Sequence, residues 1–228
     1  MASDPRTLKI DAARAALERV ESGMRLGLGT GSTAEEFVRL LGERLAAGSL
    51  HGIRCACTSA RTEELARSLA IPVASLSELA PLDVTVDGAD EIDPRLRLIK
   101  GRGGAMLREK IVEQASRRFV VIADEGKLVE RLGVGPLPVE VIPLAVDVLR
   151  LRFEERGLDP VLRKSGGNPF MTDEGNRILD IRVPRDRDIA EVIDEVRRNA
   201  GVVETGFFPD EATEAIIAGV EGVRVMRR

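Results

Sequence analysis

Four acids, Asp87, Asp90, Glu91 and Asp93, crowd around the Gly88-Ala89 step that follows the stretch Leu82 to Val86. Seven residues after the last of them comes Lys100-Gly101-Arg102-Gly103-Gly104, a cation set in a glycine loop. Glu109 then sits in what reads as a helix. Carboxylates, an ammonium and bare backbone N–H groups are what a site needs to hold a polar anionic substrate and move its protons. Lys100 with the glycine N–H groups could stabilise an oxyanion or an enediolate. Glu109 could be a general base if burial raised its pKa toward neutrality. With one His, no Tyr and no Trp, proton transfer in this chain falls to carboxylates and lysines.

Each feature also has a plainer reading. The acids could form an acidic surface turn, or an oxygen cluster for Mg²⁺ or Ca²⁺. The EF-hand pattern fails, because Leu98 stands where the terminal Glu belongs. Lys100 and Arg102 could be solvated charges at a helix entry, and Glu109 a solvated helix-face residue. Gly27-Leu28-Gly29-Thr30-Gly31-Ser32-Thr33 could cradle a phosphate at a helix start, or be an ordinary capped turn. It is neither a P-loop, lacking Gly-Lys-Ser/Thr, nor G-x-G-x-x-G, since Ser32 takes the third glycine position. Lys127 could hold an anion or be surface charge. His51 lies beside Gly52 in a polar loop and reads as solvated.

The elements that must position these residues follow from periodicity. Ser3 or Asp4 could cap a first helix with Pro5 in its first turn, where Leu8, Ala12, Ala15, Ala16 and Val20 keep helical spacing. Met24 to Gly29, Ile53 to Cys57, Leu82 to Val86 and Phe119 to Ala123 read as strands. Thr33 to Ala47, Ser59 to Ala70 and Gly104 to Ser116 read as helices between them. Alternation of this kind implies a parallel sheet covered on both faces, with ligands at the carboxyl ends of the strands. The segments 29–33, 87–90 and 124–127 all follow predicted strands and should gather at one sheet edge.

The character changes near Gly133. Gly135 to Pro143 is a Pro-bounded strand, Ala145 to Arg156 a helix, Ile178 to Val183 a strand and Ile189 to Asn199 a helix, which together suggest a small α+β unit. Ala215 to Met226 returns to short apolar runs split by glycine.

The chain has 228 residues, 43% of them hydrophobic and 32% charged, which is ordinary globular composition. A net charge of −4 and 3% aromatics argue against a nucleic-acid binder. Cys55 and Cys57 are expected as same-facing buried thiols, in keeping with a reducing cytosol. The start of the chain has no apolar core, so no secretory signal is expected, and no stretch approaches the roughly 18 apolar residues of a membrane span.

Six motifs in order resemble the ribose-5-phosphate isomerase type A family: Gly-Thr-Gly-Ser-Thr at 29–33, Asp-Gly-Ala-Asp-Glu-Ile at 87–92, Lys-Gly-Arg-Gly-Gly-Ala at 100–105, Arg-Glu-Lys at 108–110, Ala-Asp-Glu-Gly-Lys at 123–127 and Pro-Leu-Pro-Val-Glu-Val at 136–141. Asp180 and the segment 201–206 also look like the family. The resemblance implies interconversion of D-ribose 5-phosphate and D-ribulose 5-phosphate through a cis-enediolate, in the non-oxidative pentose phosphate pathway, with no metal or organic cofactor. Glu109 matches the family's base, and Asp87, Asp90 and Lys100 match residues that bind the open-chain sugar and move hydroxyl protons. Substrate-binding positions implied are Thr30, Gly31, Ser32, Thr33, Gly88, Ala89, Gly101, Arg102, Gly103 and Lys127, with Lys9 at the position of a phosphate-contacting Lys. The implied fold is α/β: a Rossmann-like, mostly parallel sheet domain at 1–133 plus 205–228, and a smaller α+β (ferredoxin-like) lid domain at 134–204. A cytoplasmic homodimer or homotetramer is implied, with a small-molecule sugar phosphate as partner and neither nucleic acid nor membrane.

Two positions depart from the family pattern: Arg102, where Gly is commoner, and Glu125-Gly126, where a small residue and Ser are commoner. Arg102 could point into the pocket and add an anion contact, or point away and leave only its backbone. Competing readings are an amino-sugar phosphate isomerase/deaminase, which would want a catalytic His; a CoA transferase, which would use a Glu thioester; and a sugar-phosphate sensor, which would want a DNA-reading helix-turn-helix.

Overall fold

The computed structural model describes residues 4–228. Ser3, the alternative cap of the first helix, lies outside the described residues; Asp4 is the cap, its carboxylate accepting the Arg6 N–H at 3.2 Å. Pro5 opens helix α1 (Pro5–Leu17), at a position where a missing N–H costs no hydrogen bond. Then follow β1 (Arg25–Leu28), α2 (Ser32–Ala46), β2 (Arg54–Cys57), α3 (Ala60–Ser68), the short α4 (Leu76–Leu79) and β3 (Val84–Asp87). Ser59 caps α3 as expected, accepting from Thr62 N–H. Two short strands, β4 (Glu91–Ile92) and β5 (Leu98–Ile99), lead to α5 (Met106–Gln114) and β6 (Phe119–Asp124). The next stretch holds β7 (Leu137–Val141), α6 (Val146–Glu155), β8 (Val161–Leu162), the hairpin β9 (Lys164–Ser165) and β10 (Asn168–Pro169), β11 (Arg177–Ile181), α7 (Ile189–Arg197) and β12 (Val202–Thr205). The chain closes with β13 (Phe207–Phe208), β14 (Glu214–Gly219) and β15 (Gly222–Arg227).

Six strands form the main sheet in the order β15-β14-β6-β3-β1-β2, parallel except for the β14–β15 hairpin. The strand order reverses between β1 and β3, because β2 pairs outward from β1 while β3 and β6 grow the other way. Ligands bind at such a switch point, outside the carboxyl ends of the strands. Both faces are covered, as the unbroken apolar strands require. Alternate residues of β6 point to opposite faces. Val120 and Ile122 pack with α1 and α2 through Ala12, Ala16, Phe37 and Leu41. Phe119, Val121 and Ala123 pack on the other side with Met106, Phe208 and Ile217.

The small unit is a four-stranded antiparallel sheet, β12-β7-β11-β8, with chain order β-α-β-β-α-β. That is the ferredoxin-like arrangement expected from the sequence. Its core joins Val139, Leu179 and Ile181 to Leu149 and Phe153 of α6 and to Val192 and Val196 of α7. A third sheet, β13-β5-β4, lies under the site. Its two-residue strands carry no readable period, and the sequence did not disclose them. It joins the two larger cores, since Ile99 and Phe207 pack into the small unit while Leu98 and Phe208 pack beneath the main sheet. The return crossing is fixed by backbone pairs: Lys100 N–H to Gly206 carbonyl at 2.9 Å and Gly206 N–H to Pro138 carbonyl at 2.8 Å. Among the described residues, no helix is long and apolar enough to cross a membrane.

Candidate active site

The three segments that follow β1, β3 and β6 do gather at the carboxyl edge of the sheet, around a cleft of about 260 Å³. Gly29 makes the first contact feasible. A Cβ there would lie 2.2 Å from Asp87 Oδ1, so only glycine lets the β1 turn close over the end of β3. Asp87 Oδ1 then accepts the N–H groups of Thr30 (2.9 Å) and Gly88 (2.6 Å), tying the two turns together. Behind the loop the Thr30 hydroxyl meets those of Thr58 (2.7 Å) and Ser59 (2.8 Å), which hold it from the α3 side. Ser32 begins α2 and takes a hydrogen bond from Lys9 Nζ at 3.0 Å. Lys9, Lys127 and the start of α2 therefore offer two ammonium groups and a helix N-terminus to one end of the cleft.

Lys100 follows directly on β5 and is 2% exposed. Its Nζ donates to the Gly88 carbonyl (2.5 Å) and lies 3.0 Å from Asp87 Oδ2, 3.2 Å from Glu113 Oε1 and 3.6 Å from Glu109 Oε2. The rings of Phe119 and Phe208, each 5.6 Å from Nζ, close the apolar side. Three carboxylates thus surround one ammonium in a place with little water. All three cannot be ionised cheaply together. Burial pushes the Glu109 carboxyl up to about 8, with Asp87 and Asp90 adding to the rise and Lys100 opposing it. Burial also raises Glu113 well above the usual carboxylate range, and raises Asp87 despite its N–H donors and Lys100. Lys100 itself stays protonated: burial pulls it down, but the three carboxylates outweigh that. Of the three acids only Glu109 lines the cleft. It is the one placed to exchange a proton with a ligand.

The structure decides several alternatives left open by the sequence. The acidic stretch is not a surface turn, since Asp87, Glu91 and Asp93 are buried. Each is already engaged. Asp87 sits behind the cleft wall and reaches the site through Lys100 and the turn N–H groups. Glu91 accepts the N–H groups of Gly133 (2.7 Å), Val134 (3.2 Å) and Gly135 (2.6 Å), and Asp93 pairs with Arg97 at 2.6 Å. Every other residue named from sequence for the site lines the cleft, except Arg102. The Arg102 side chain turns away to Glu91 Oε1 (2.6 Å), so its inward alternative is corrected; only its N–H reaches the site, donating to Asp90 Oδ2 at 2.9 Å. His51 is exposed beside Ser22, and Cys55 and Cys57 are free, with Cys57 only partly buried.

Glu113 was missed. The available signal was its spacing: four residues after Glu109, it falls on the same helix face. Helix α5 buries Glu109, Lys110 and Glu113 beside the apolar Met106 and Val112, while Ile111 is 48% exposed. Lys110 was also unassigned. It clamps the return crossing, donating to the carbonyls of Thr205 (3.0 Å) and Phe207 (2.8 Å) and pairing with Glu204 at 2.9 Å.

Comparison with known proteins gives consistent results. The profile of the family described as Ribose 5-phosphate isomerase A (phosphoriboisomerase A) matches residues 54–222. A curated protein named Ribose-5-phosphate isomerase A from Sinorhizobium medicae is 53% identical over 98% of this chain and 99% of its own length. One from Agrobacterium fabrum is 51% identical over 98% of this chain and 99% of its own length. Among solved structures, a D-ribose-5-phosphate isomerase in complex with phospho-erythronic acid superimposes with a TM-score of 0.94 at 40% identity, covering 99% of this chain and all of the other. Ribose 5-phosphate isomerase from Plasmodium falciparum gives 0.93 at 35% identity over 98% and 99% of the two chains.

Proposed function

This chain belongs to the ribose 5-phosphate isomerase A family, an aldose–ketose isomerase that interconverts ribose 5-phosphate and ribulose 5-phosphate, and we propose that Glu109 is the base that carries the proton between the two carbons. The observation that carries this assignment is that Glu109 alone of the buried acids both lines the cleft and lies within 3.6 Å of a buried ammonium. An aldose–ketose shift must remove a weakly acidic proton beside a carbonyl, stabilise the oxyanion that forms, and keep water out.

In this account the open-chain sugar phosphate anchors its phosphate at Lys9, Lys127 and the segment 30–33. That grip lets binding energy from the unreactive end place the carbonyl carbons beside Glu109. Glu109 takes the proton from C2 to give a cis-enediolate and returns it to C1. The Lys100 ammonium and the lysine-loop N–H groups face the developing negative charge. Asp90, which lines the cleft, relays hydroxyl protons, and Asp87 fixes Lys100 and the turn. The charge that a metal ion would otherwise supply comes from Lys100. The segment 134–204 acts as a lid over 1–133 plus 205–228 and excludes water during the reaction.

We further propose a homodimer or homotetramer in the cytoplasm. Leu144, in the turn before α6, and Val148 and Leu151, exposed on α6, give apolar surface for a second copy, and the free thiols suit a reducing compartment. The test of the chemical account is ribulose 5-phosphate formation from ribose 5-phosphate by purified protein in excess EDTA. Turnover unchanged by the chelator is expected. Turnover lost with EDTA and restored by a divalent cation would contradict the role given to Lys100.

A further inference from the structure

The lysine loop is held from outside by a residue of the small unit. Arg163 follows β8, and Asp180, on β11, grips its guanidinium through Nε (Oδ2, 2.9 Å) and Nη2 (Oδ1). This two-point fork fixes the guanidinium plane. The remaining nitrogen, Nη1, donates to the carbonyls of both Gly101 (2.8 Å) and Arg102 (2.9 Å). The ion pair is largely buried, with side-chain exposures of 14% and 18%.

The planar trans peptide turns these two contacts into a statement about the opposite side of the loop. In each peptide the N–H points away from the C=O. Pulling the Gly101 carbonyl toward Arg163 aims the Arg102 N–H the other way, and there it meets Asp90 Oδ2 at 2.9 Å. Pulling the Arg102 carbonyl the same way aims the Gly103 N–H toward the cleft that Gly103 lines. Among the described residues that N–H has no protein acceptor. A cation on the carbonyl also polarises the peptide and strengthens its N–H as a donor. The ring of Phe170 from the same unit seats the far end of the loop, where a Cβ on Gly104 would come within 2.4 Å of it.

We propose that Arg163, locked by Asp180, is a positioning residue for isomerisation: it aims the Gly103 N–H at the oxyanion and holds Asp90 in place through the Arg102 N–H. The inference rests on the isomerase reading. It makes the small unit a working part of the site as well as a cover.

The test separates binding at the reacting end from binding at the phosphate end. Phospho-erythronic acid, the ligand of the solved relative, carries a carboxylate to probe the first, and inorganic phosphate probes the second. Arg163→Met is expected to lower kcat by ~10²-fold, the scale of losing one oxyanion donor. It should raise the inhibition constant of phospho-erythronic acid by about 10-fold or more and leave that of phosphate within about 2-fold. Asp180→Asn, which loosens the fork but keeps the guanidinium, should give a smaller loss of the same kind, and guanidinium ion added to Arg163→Ala should restore part of kcat. A kcat within about 3-fold of wild type, or equal weakening of both inhibitors, would overturn the proposal and leave a merely structural ion pair. Wild-type protein with no turnover of ribose 5-phosphate would overturn the isomerase reading itself, and this inference with it.

Discussion

Replacing Lys100 with methionine is expected to reduce turnover by ~10³-fold or more and to make the fold dependent on low pH. Methionine fills similar volume, so the loss is one of charge. Lys100 is the only cation within 4.0 Å of Asp87, Glu109 and Glu113 among the described residues. Removing one member of a buried ion cluster typically costs about 3–5 kcal/mol, because the charges left behind have neither water nor partner. Here the carboxyls can escape that cost by taking up protons. Glu109, already pushed up to about 8 by burial, would rise further, so the variant lacks both the oxyanion's partner and an ionised base at neutral pH. The sign follows from proton linkage. Carboxyls whose folded pKa lies above the unfolded value bind more protons when folded, so their contribution is full below the unfolded value and is lost as pH rises through the folded one. Thermal melting of Lys100→Met should therefore approach that of wild type near pH 5 and fall behind it at pH 8. Turnover near wild type, or an equal melting deficit at both pH values, would contradict the arrangement.

Glu109→Gln is expected to lower kcat by ~10²- to 10⁴-fold with KM changed little. The amide keeps the side chain's shape and cannot accept the C2 proton. Stability should not fall, since Lys100 keeps its nearer partners Asp87 (3.0 Å) and Glu113 (3.2 Å), and the carboxyl removed is 4% exposed with no hydrogen-bond donor on Oε2. This separates a chemical from a structural defect: an inactive protein that melts at or above the wild-type temperature is the expected result. Turnover within about 3-fold of wild type would remove Glu109 from the role of base.

Much of this was legible because strong signals coincide. The strand-turn-helix alternation places Thr30, Asp87 and Lys127 at one sheet edge through topology alone, and six ordered motifs specify the family. The acidic stretch was harder. In the sequence Asp87, Asp90, Glu91 and Asp93 look alike, and only tertiary contacts distinguish them: Asp87 orients Lys100, Asp90 lines the cleft, Glu91 caps the 133–135 turn, and Asp93 closes a turn with Arg97. Glu113 escaped notice because a Glu in a helix ordinarily faces water; what buries it is Lys100, a partner thirteen residues away. Arg163 escaped for a similar reason, since its partners Asp180 and the 101–102 carbonyls lie far along the chain. The direction of Arg102 could not be read from sequence, because it depends on Glu91 lying beside the Gly133–Gly135 turn.

The central claim, that a carboxyl made weakly acidic by burial is the base, is tested most directly by the pH dependence of kcat/KM for ribose 5-phosphate with wild-type protein. The free enzyme's Glu109 must be ionised to act, so activity should fall with unit slope as pH drops through about 8, well above the ordinary Glu value of 4.5. A profile that stays level from pH 8 down to about 5 would mean that the base is an ordinary exposed carboxylate, and would contradict the account.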